Sequence, residues 1–466
     1  MSAEFKKSLT LYSLTMIAIG SSIGSGIFRT PGVNVAAHVP DAGLSLLVWV
    51  LGGVVTLTGA LTFAELGTLF TKRGGMYVYQ REAFGDLVGF LYGWSLLVVT
   101  NTGSIAGLVV VFTEFLGVVV PLPDVTYFAF HLGALAIVVT FKLLLQIGTI
   151  LILTAVNVFG VDFSKLFANV FTTTKLIGIV AIIVIGLFFA ADAGEVQQMT
   201  VGVAPAPPIP TGFALIPAIL TAMVGVLWSY GGWQHTTFVV GEAKDPSRTV
   251  PRAMIIGAIV VTLVYVLINV AYLKLLPMDV ITHSRQIAAL AMTAVFGPKM
   301  GAVIAALIAI SVLGTTGIYI LSCPRIYFAM ADDGIFFRKL AEIHPKYKTP
   351  ANAIITQSAW AIFLLLFWGT FENLIDYVTF VDWIFYGITG LTIFVFRRRM
   401  PDAARPYKTP FYPLIPLIFC IIAFAFVFNA LFANYVQALS GLILLTAGTV
   451  VYYLVWKKNG TKTAES

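Results

Sequence analysis

Long apolar runs separated by short polar ones recur along the whole chain, and each is about 18 residues or longer, enough to cross the hydrocarbon core of a bilayer. The pattern predicts twelve such spans. The first eight lie at about 8–32, 43–69, 84–118, 127–160, 168–191, 212–240, 252–276 and 300–330. Four more follow at about 352–370, 375–396, 412–433 and 436–456. Lys142 interrupts the tract from Tyr127 to Gly160, so two shorter segments are the alternative there. Two spans carry an anomaly. Gly20 to Phe28 reads GSSIGSGIF, three glycines and three serines inside an apolar run, and Leu227 to Trp233 reads LWSYGGW. Each glycine costs a helix interior about 1 kcal/mol relative to alanine. Lipid supplies no partner for a released backbone N–H or C=O, so breaks at these places imply a polar occupant.

The distribution of charge orients the spans. With the N-terminus inside, the short loops assigned to the cytoplasm carry Lys6, Lys7, Lys72, Arg73, Arg81, Lys165, Lys244, Arg248 and Arg252. Further along they carry Arg338, Lys339, Lys346, Lys348, the group Arg397, Arg398, Arg399, Arg405 and Lys408, and the tail residues Lys457, Lys458 and Lys462. External loops hold little beyond Lys274, Arg285 and Lys299. Both termini are therefore expected in the cytoplasm, the chain in the cell membrane, and the net charge of +7 reflects topology and not nucleic-acid binding.

Composition agrees, with 59% hydrophobic and only 11% charged residues against about 25% charge in soluble chains. Met1 to Thr15 does not read as a cleavable signal peptide, because the apolar run continues past the length of an h-region. The loops leave no soluble domain to assign. Cys323 and Cys420 lie in or beside apolar spans, too few for a disulfide framework. His38, His131, His235, His283 and His344 are scattered without metal-ligand spacing, and no Walker A lysine or GxSxG elbow is present. Neither a metal, a cofactor nor an enzyme activity is expected.

The two anomalous spans are the first and the sixth, so each opens a group of five. Because five is odd, the second group enters the membrane inverted, the plan of secondary transporters whose interrupted helices mark the binding site. The expected fold is an all-α membrane protein of twelve helices with a 5+5 inverted repeat, discontinuous in helices one and six. Residues 1–191 form the first repeat, 212–396 the second, and 412–456 two additional helices. Where the first span breaks, Gly24, Ser25 and Gly26 would present orphan N–H donors at a positive helix end, fit for a carboxylate. Carbonyls near Ser21, Ser22 and Trp228 to Gly231 would accept an ammonium.

Further motifs occur in order: GSGIF in span one, RGGMYVYQREAFG from Arg73, FLYGW from Phe90, GEAKDPSRTVPRA from Gly241, and Cys323 to Gly334 followed by HPKYKTP from His344. With them the chain resembles the amino acid, polyamine and organocation (APC) transporter superfamily, in its L-type amino acid transporter-like branch. The resemblance implies a leucine-transporter-type fold, Ser25 and Gly26 on a substrate carboxylate, and Ser22, Trp228 and Gly231 on the amino group. Ile23, Gly24 and Ser229 complete the candidate substrate set. It also places Trp228 as an aromatic gate. Relatives that accept dibasic amino acids carry an acid at the position of Gly231, so glycine there favours neutral substrates.

Lys175 in span five is an intramembrane lysine, expensive and so a functional candidate. Its ammonium could stand where sodium-coupled relatives hold a cation between spans one and eight. Glu65, by count near the external side or midpoint of span two, and Lys142 are read as structural pairing groups. Asn157, Thr315 and Thr316 are read as interhelical hydrogen-bonding residues, and Glu242, Lys244, Asp245 and Arg248 as a cytoplasmic charge cluster in a solvated loop. Relatives with a covalent heavy subunit carry a cysteine between spans three and four. Gly117 to Thr126 has none, so no disulfide-linked heavy subunit is expected.

The function expected from these features is sodium-independent exchange of neutral L-amino acids by alternating access. A proton-coupled symporter and a transporter-like amino acid sensor are the alternatives.

Overall fold

Thr10 caps the first helix, its hydroxyl accepting from the amide of Ser13, and α1 runs Leu11–Ser22 until the Ser-Ser-Ile-Gly-Ser-Gly stretch ends it. The computed structural model describes residues 9–70, 74–132, 135–159, 161–368 and 371–457. Lys6, Lys7, Lys72, Arg73, Gly160, Lys458 and Lys462, used above in reading loops and spans, lie outside them. The longer helices that follow are α2 (Ala42–Leu69), α3 (Asp86–Val119), α4 (Phe141–Phe159) and α5 (Val161–Phe188). Then come α6 (Leu215–Tyr230), α7 (Pro246–Leu275), α8 (Pro298–Ser322) and α9 (Ala351–Trp368). The last are α10 (Phe371–Arg399), α11 (Leu414–Ala433) and α12 (Tyr435–Tyr452).

Nine helices among the described residues are long and apolar enough to cross a membrane. Where the sequence predicts span one, a shorter apolar helix stands at Leu11–Ser22, and spans five and nine fall on α5 and α9. The first is short because the chain unwinds after Ser22. One departure from an all-helical chain also occurs. The tract beginning at Tyr127 does not enter as a helix: β1 (Thr126–Leu132) pairs antiparallel with β2 (Leu135–Thr140), and α4 starts only at Phe141. The run FAF and the run AIVV are rich in aromatic and β-branched residues, which fit a pleated ribbon as well as a helix. Lys142 consequently stands in the first turn of α4, half-exposed and 3.8 Å from Asp124.

Packing sets α3 at the centre, its apolar window wholly inside the molecule, and α12 at the rim with only 17% of its window inside. α3 packs on α8 and α10, α7 packs on both α1 and α2, and α5 packs on α8. The outer helices point Ile421, Phe428, Phe432, Leu439 and Ile443 away from the protein. An apolar face turned outward on peripheral helices is what lipid solvates, so the molecule is a multi-pass membrane protein.

Glu65, read as near the external side or midpoint of its span, is not near the midpoint. It stands in the last turn of α2, buried, and accepts from Arg397 Nε and Nη2 at 2.8 Å each and from Thr409 N at 2.7 Å, with Arg405 Nε at 3.3 Å. It thus faces the basic loop after α10. Counting residues fails there because α2 is tied to that loop by its C-terminal end. On a neighbouring surface, the helix Met76–Phe84 is held to the chain following α8: Tyr77 OH and Arg81 Nη1 both donate to Asp333, at 2.7 and 2.8 Å. Burial, then the hydrogen bond to Asp333, pushes the Tyr77 phenol above its usual range. Of the charge cluster, Asp245 caps α7 and Arg248 lies in its first turn, 3.8 Å apart and more than half-exposed, while Lys244 N donates to Leu9 O at 2.8 Å; the side chain of Glu242 lies outside the described residues.

Candidate functional site

After α1 the chain turns at Ile23 (φ −76°, ψ 85°), makes a single 3-10 turn over Gly26–Phe28, and continues as a π-helical segment over Pro31–Ala36. The second half of the first span is therefore wider and less regular than an α-helix, a geometry associated with functional sites. α6 ends at Tyr230, Gly231 is extended, and a short helix resumes at His235–Phe238. Both anomalous spans are interrupted where their glycines and serines lie.

The two interruptions touch. Gly232 adopts a φ of +123° and sits so close to the Ser21–Ser22 peptide that a β-carbon would collide with it. Ser21 Oγ donates to Gly232 O at 2.9 Å. Past the break Gly26 lies against Ser229, whose Cβ would be 2.7 Å from a β-carbon at residue 26. Ser229 in turn bonds Thr30 Oγ1 at 3.2 Å.

Polar groups at the breaks divide into satisfied and unsatisfied. Gly24 N, anticipated as an orphan donor, is taken by Ser22 O at 2.8 Å. Among the described residues, the amides of Ser25 and Gly26 have no backbone partner, and the buried Ser25 hydroxyl has none at all. The carbonyls of Ser22 and Ser229 are bridged by one phenol, Tyr265 OH from α7, at 2.8 Å each. Trp228 O accepts from Gly231 N at 3.0 Å.

Lys175, buried in α5, reaches the first break from the opposite side. Its ammonium donates to Gly20 O at 3.1 Å, to Ile23 O, and to Thr315 Oγ1 of α8 at 2.8 Å. Three helices meet at that one nitrogen. Thr315 is thus an interhelical bonding residue as anticipated, whereas Thr316 turns back on its own helix, to Val312 O.

A cavity of about 20 Å³ opens beside the second break, walled by Ser104, Leu227, Trp228, Gly231, Gln234, Tyr319, Thr379, Asp382, Trp383 and Tyr386. That is about the room for one water, so an amino acid side chain is admitted only if the wall moves. A larger cavity of about 670 Å³ lies near the end of α3, lined by Glu114, Lys142 and Gln286 among others, and none of the predicted site residues reaches it. The buried Arg29, just past the first break, forms an ion pair with Glu114, whose backbone carbonyl accepts from Gln286 Nε2 at 2.9 Å. Among the described residues there is no group of three His, Cys, Asp or Glu that could hold a metal ion.

Sequence reasoning missed Tyr265, Asp382 and the Arg29–Glu114 pair. The carboxylates were open to detection, since Glu114 and Asp382 are acids inside apolar runs. Tyr265 carried no local signal.

A profile of the amino acid permease family matches residues 9–455. The serine/threonine exchanger SteT of Bacillus subtilis (strain 168) is 30% identical over 460 residues, spanning 97% of each chain. The b(0,+)-type amino acid transporter 1 of Mus musculus is 30% identical over 97% of this chain and 88% of its own. The Asc-type amino acid transporter 1 of Mus musculus is 31% identical over 96% and 81%.

Proposed function

Because the chain belongs to the amino acid permease family, within the APC superfamily, we propose that it carries neutral L-amino acids across the cell membrane by sodium-independent exchange. Its relatives are named as amino acid transporters and, in one instance, as an exchanger. The observation that carries the sodium-independent part is the Lys175 ammonium seated on Gly20 O, Ile23 O and Thr315 Oγ1. Two carbonyls and a hydroxyl drawn from α1 and α8 are oxygen ligands of the kind a small cation takes, and here a fixed ammonium already satisfies them.

In this reading the chain crosses twelve times, with both termini in the cytoplasm. Residues 1–191 and 212–396 form inverted five-helix repeats, and residues 412–456 add two helices. The interruptions in α1 and α6, five spans apart, support it. The substrate carboxylate meets the amides of Ser25 and Gly26. Its ammonium meets carbonyls at Ser22, Trp228 and Gly231, with Ile23, Gly24 and Ser229 shaping the floor and Trp228 closing over the top. The unpartnered donors at Ser25 and Gly26 favour exchange, because an empty carrier reorients with them unpaid by any acceptor whereas a loaded one does not. Both cysteines are buried, which favours a carrier with no disulfide-linked heavy subunit.

Reconstitution into liposomes tests the proposal. Radiolabelled serine, alanine or leucine should accumulate only in vesicles preloaded with amino acid, equally in sodium and choline. A sodium requirement overturns the role given to Lys175. Equal uptake into empty vesicles overturns exchange, and uptake into empty vesicles driven by an inward proton gradient establishes symport instead.

A further inference from the structure

Thr379, Asp382, Trp383 and Tyr386 occupy successive turns on one face of α10, and that face walls the cavity beside Trp228 and Gly231. An acid at such a depth is expensive and demands a partner. The structure supplies instructive contrasts. Glu65 is clamped by Arg397 and Arg405, and Glu114 by Arg29. Asp382 takes part in none of the ion pairs among the described residues. It is also less buried than the other α10 residues that line the cavity, Thr379, Trp383 and Tyr386.

Its neighbours meet that need only in part, through a hydrogen bond from Thr100 of α3 and no positive charge. Gln234 is held in place at both ends, its Oε1 accepting from Gly232 N at 2.8 Å and its Nε2 donating to Tyr386 OH at 2.6 Å. One turn before Asp382, the buried hydroxyl of Thr379 has no hydrogen-bond partner among the described residues. The wall therefore offers an acceptor carboxylate and an idle hydroxyl to whatever side chain projects past Gly231. The room is small, about 20 Å³ before the wall moves.

We propose that Asp382 reads the substrate's side chain, selecting amino acids whose short side chain ends in a hydrogen-bond donor. This rests on the reading above, that the interrupted segments hold the substrate's carboxylate and ammonium, and it narrows the substrate class of that site. The physical basis is asymmetric. A pocket lined only by apolar groups discriminates weakly between isosteres, whereas a buried polar group left unpaired by the wrong substrate rejects it strongly. Threonine and valine have nearly the same shape and differ by the hydroxyl, so their ratio measures what Asp382 contributes. The shared chemistry, a donor on a short chain, is met by a hydroxyl or by an ammonium, and 2,4-diaminobutyrate separates the two.

The test uses the full chain in liposomes preloaded with alanine, and reads exchange of threonine, valine and 2,4-diaminobutyrate in the wild type, Asp382→Asn and Asp382→Ala. Threonine is expected to exceed valine by about ten-fold or more in the wild type, and the ratio to fall towards one in Asp382→Ala, whereas Asp382→Asn keeps an acceptor oxygen and with it part of the ratio. A wild-type ratio near one overturns the proposal, as does a ratio that survives Asp382→Ala. Preference for diaminobutyrate that is lost in Asp382→Asn upholds the role of Asp382 and overturns the neutral class proposed above. Absence of any amino acid exchange in the wild type removes the underlying reading, a result distinct from an unselective carrier. Should Asp382→Ala not yield a monodisperse protein, Asp382→Leu, similar in size and without an acceptor, takes its place beside the wild-type ratio.

Discussion

Lys175→Met keeps most of the side chain's length and removes its ammonium. Two carbonyls then lose their donor. Gly20 O would ordinarily accept from Gly24 N four residues on, but that amide is engaged by Ser22 O, so Lys175 alone serves it among the described residues. Ile23 O lies past the end of α1 and has the same dependence. Thr315 keeps a contact to Ser311 O at 3.3 Å and loses less. Each buried acceptor left unmade costs about 1–3 kcal/mol, or about 2–6 kcal/mol for two. Deleting a buried charge also returns part of its desolvation cost, so the lower end, about 2 kcal/mol, is the expected loss. The assay is melting in detergent together with exchange in liposomes, where the variant should melt earlier and exchange poorly. Lys175→Ala goes further, since it empties the space among the same oxygens. Sodium should raise its melting temperature where choline does not, by mass action on a cation bound only to the folded state. Wild-type melting and full exchange by Lys175→Met would refute the reasoning, for the three hydrogen bonds would then contribute nothing to the first break.

Gly26→Ala should lower exchange about ten-fold or more, because its β-carbon would meet Ser229 Cβ at 2.7 Å and Cα at 3.0 Å, an overpacking that costs about 1–3 kcal/mol. The double variant Gly26→Ala, Ser229→Gly should recover part of the loss, and equal activity of single and double variants would show that the close approach is not what matters. Glu65→Gln should destabilise the protein by about 3 kcal/mol, near the low end for breaking a buried pair because Arg397 keeps 24% of its side chain exposed. Melting in detergent checks it, and a neutral result would mean that the arginines find other acceptors.

The two interruptions were legible in the sequence because glycine and serine inside an apolar run are a local anomaly with one physical meaning, backbone to be unwound. Lys175 was legible for a similar reason, as a charge where lipid or protein must surround it. Its partners were only partly so: Thr315 was singled out as a bonding residue, but which carbonyls it would join through Lys175 depends on how α5 and α8 meet. Tyr265 is the opposite case, one tyrosine among 18 in the chain, given its place by the packing of α7 against α1. The hairpin at Thr126–Thr140 was missed because its residues suit strand and span alike. Glu65 was misplaced because depth was counted from span ends, while the arginines that hold it lie more than 300 residues further along the chain. The structure also changes the meaning of a test that the sequence suggests. A larger residue at Gly26 obstructs Ser229 before it obstructs any ligand, so it probes the joint between two helices together with the site.

The contact of Gly232 with the Ser21–Ser22 peptide has a consequence for engineering. Backbone meets backbone there with no side chain between, so neither loop can be transplanted from another carrier without its counterpart. Substrate preference is better retuned by recombining the α10 wall, whose side chains can be exchanged while that seam is inherited whole.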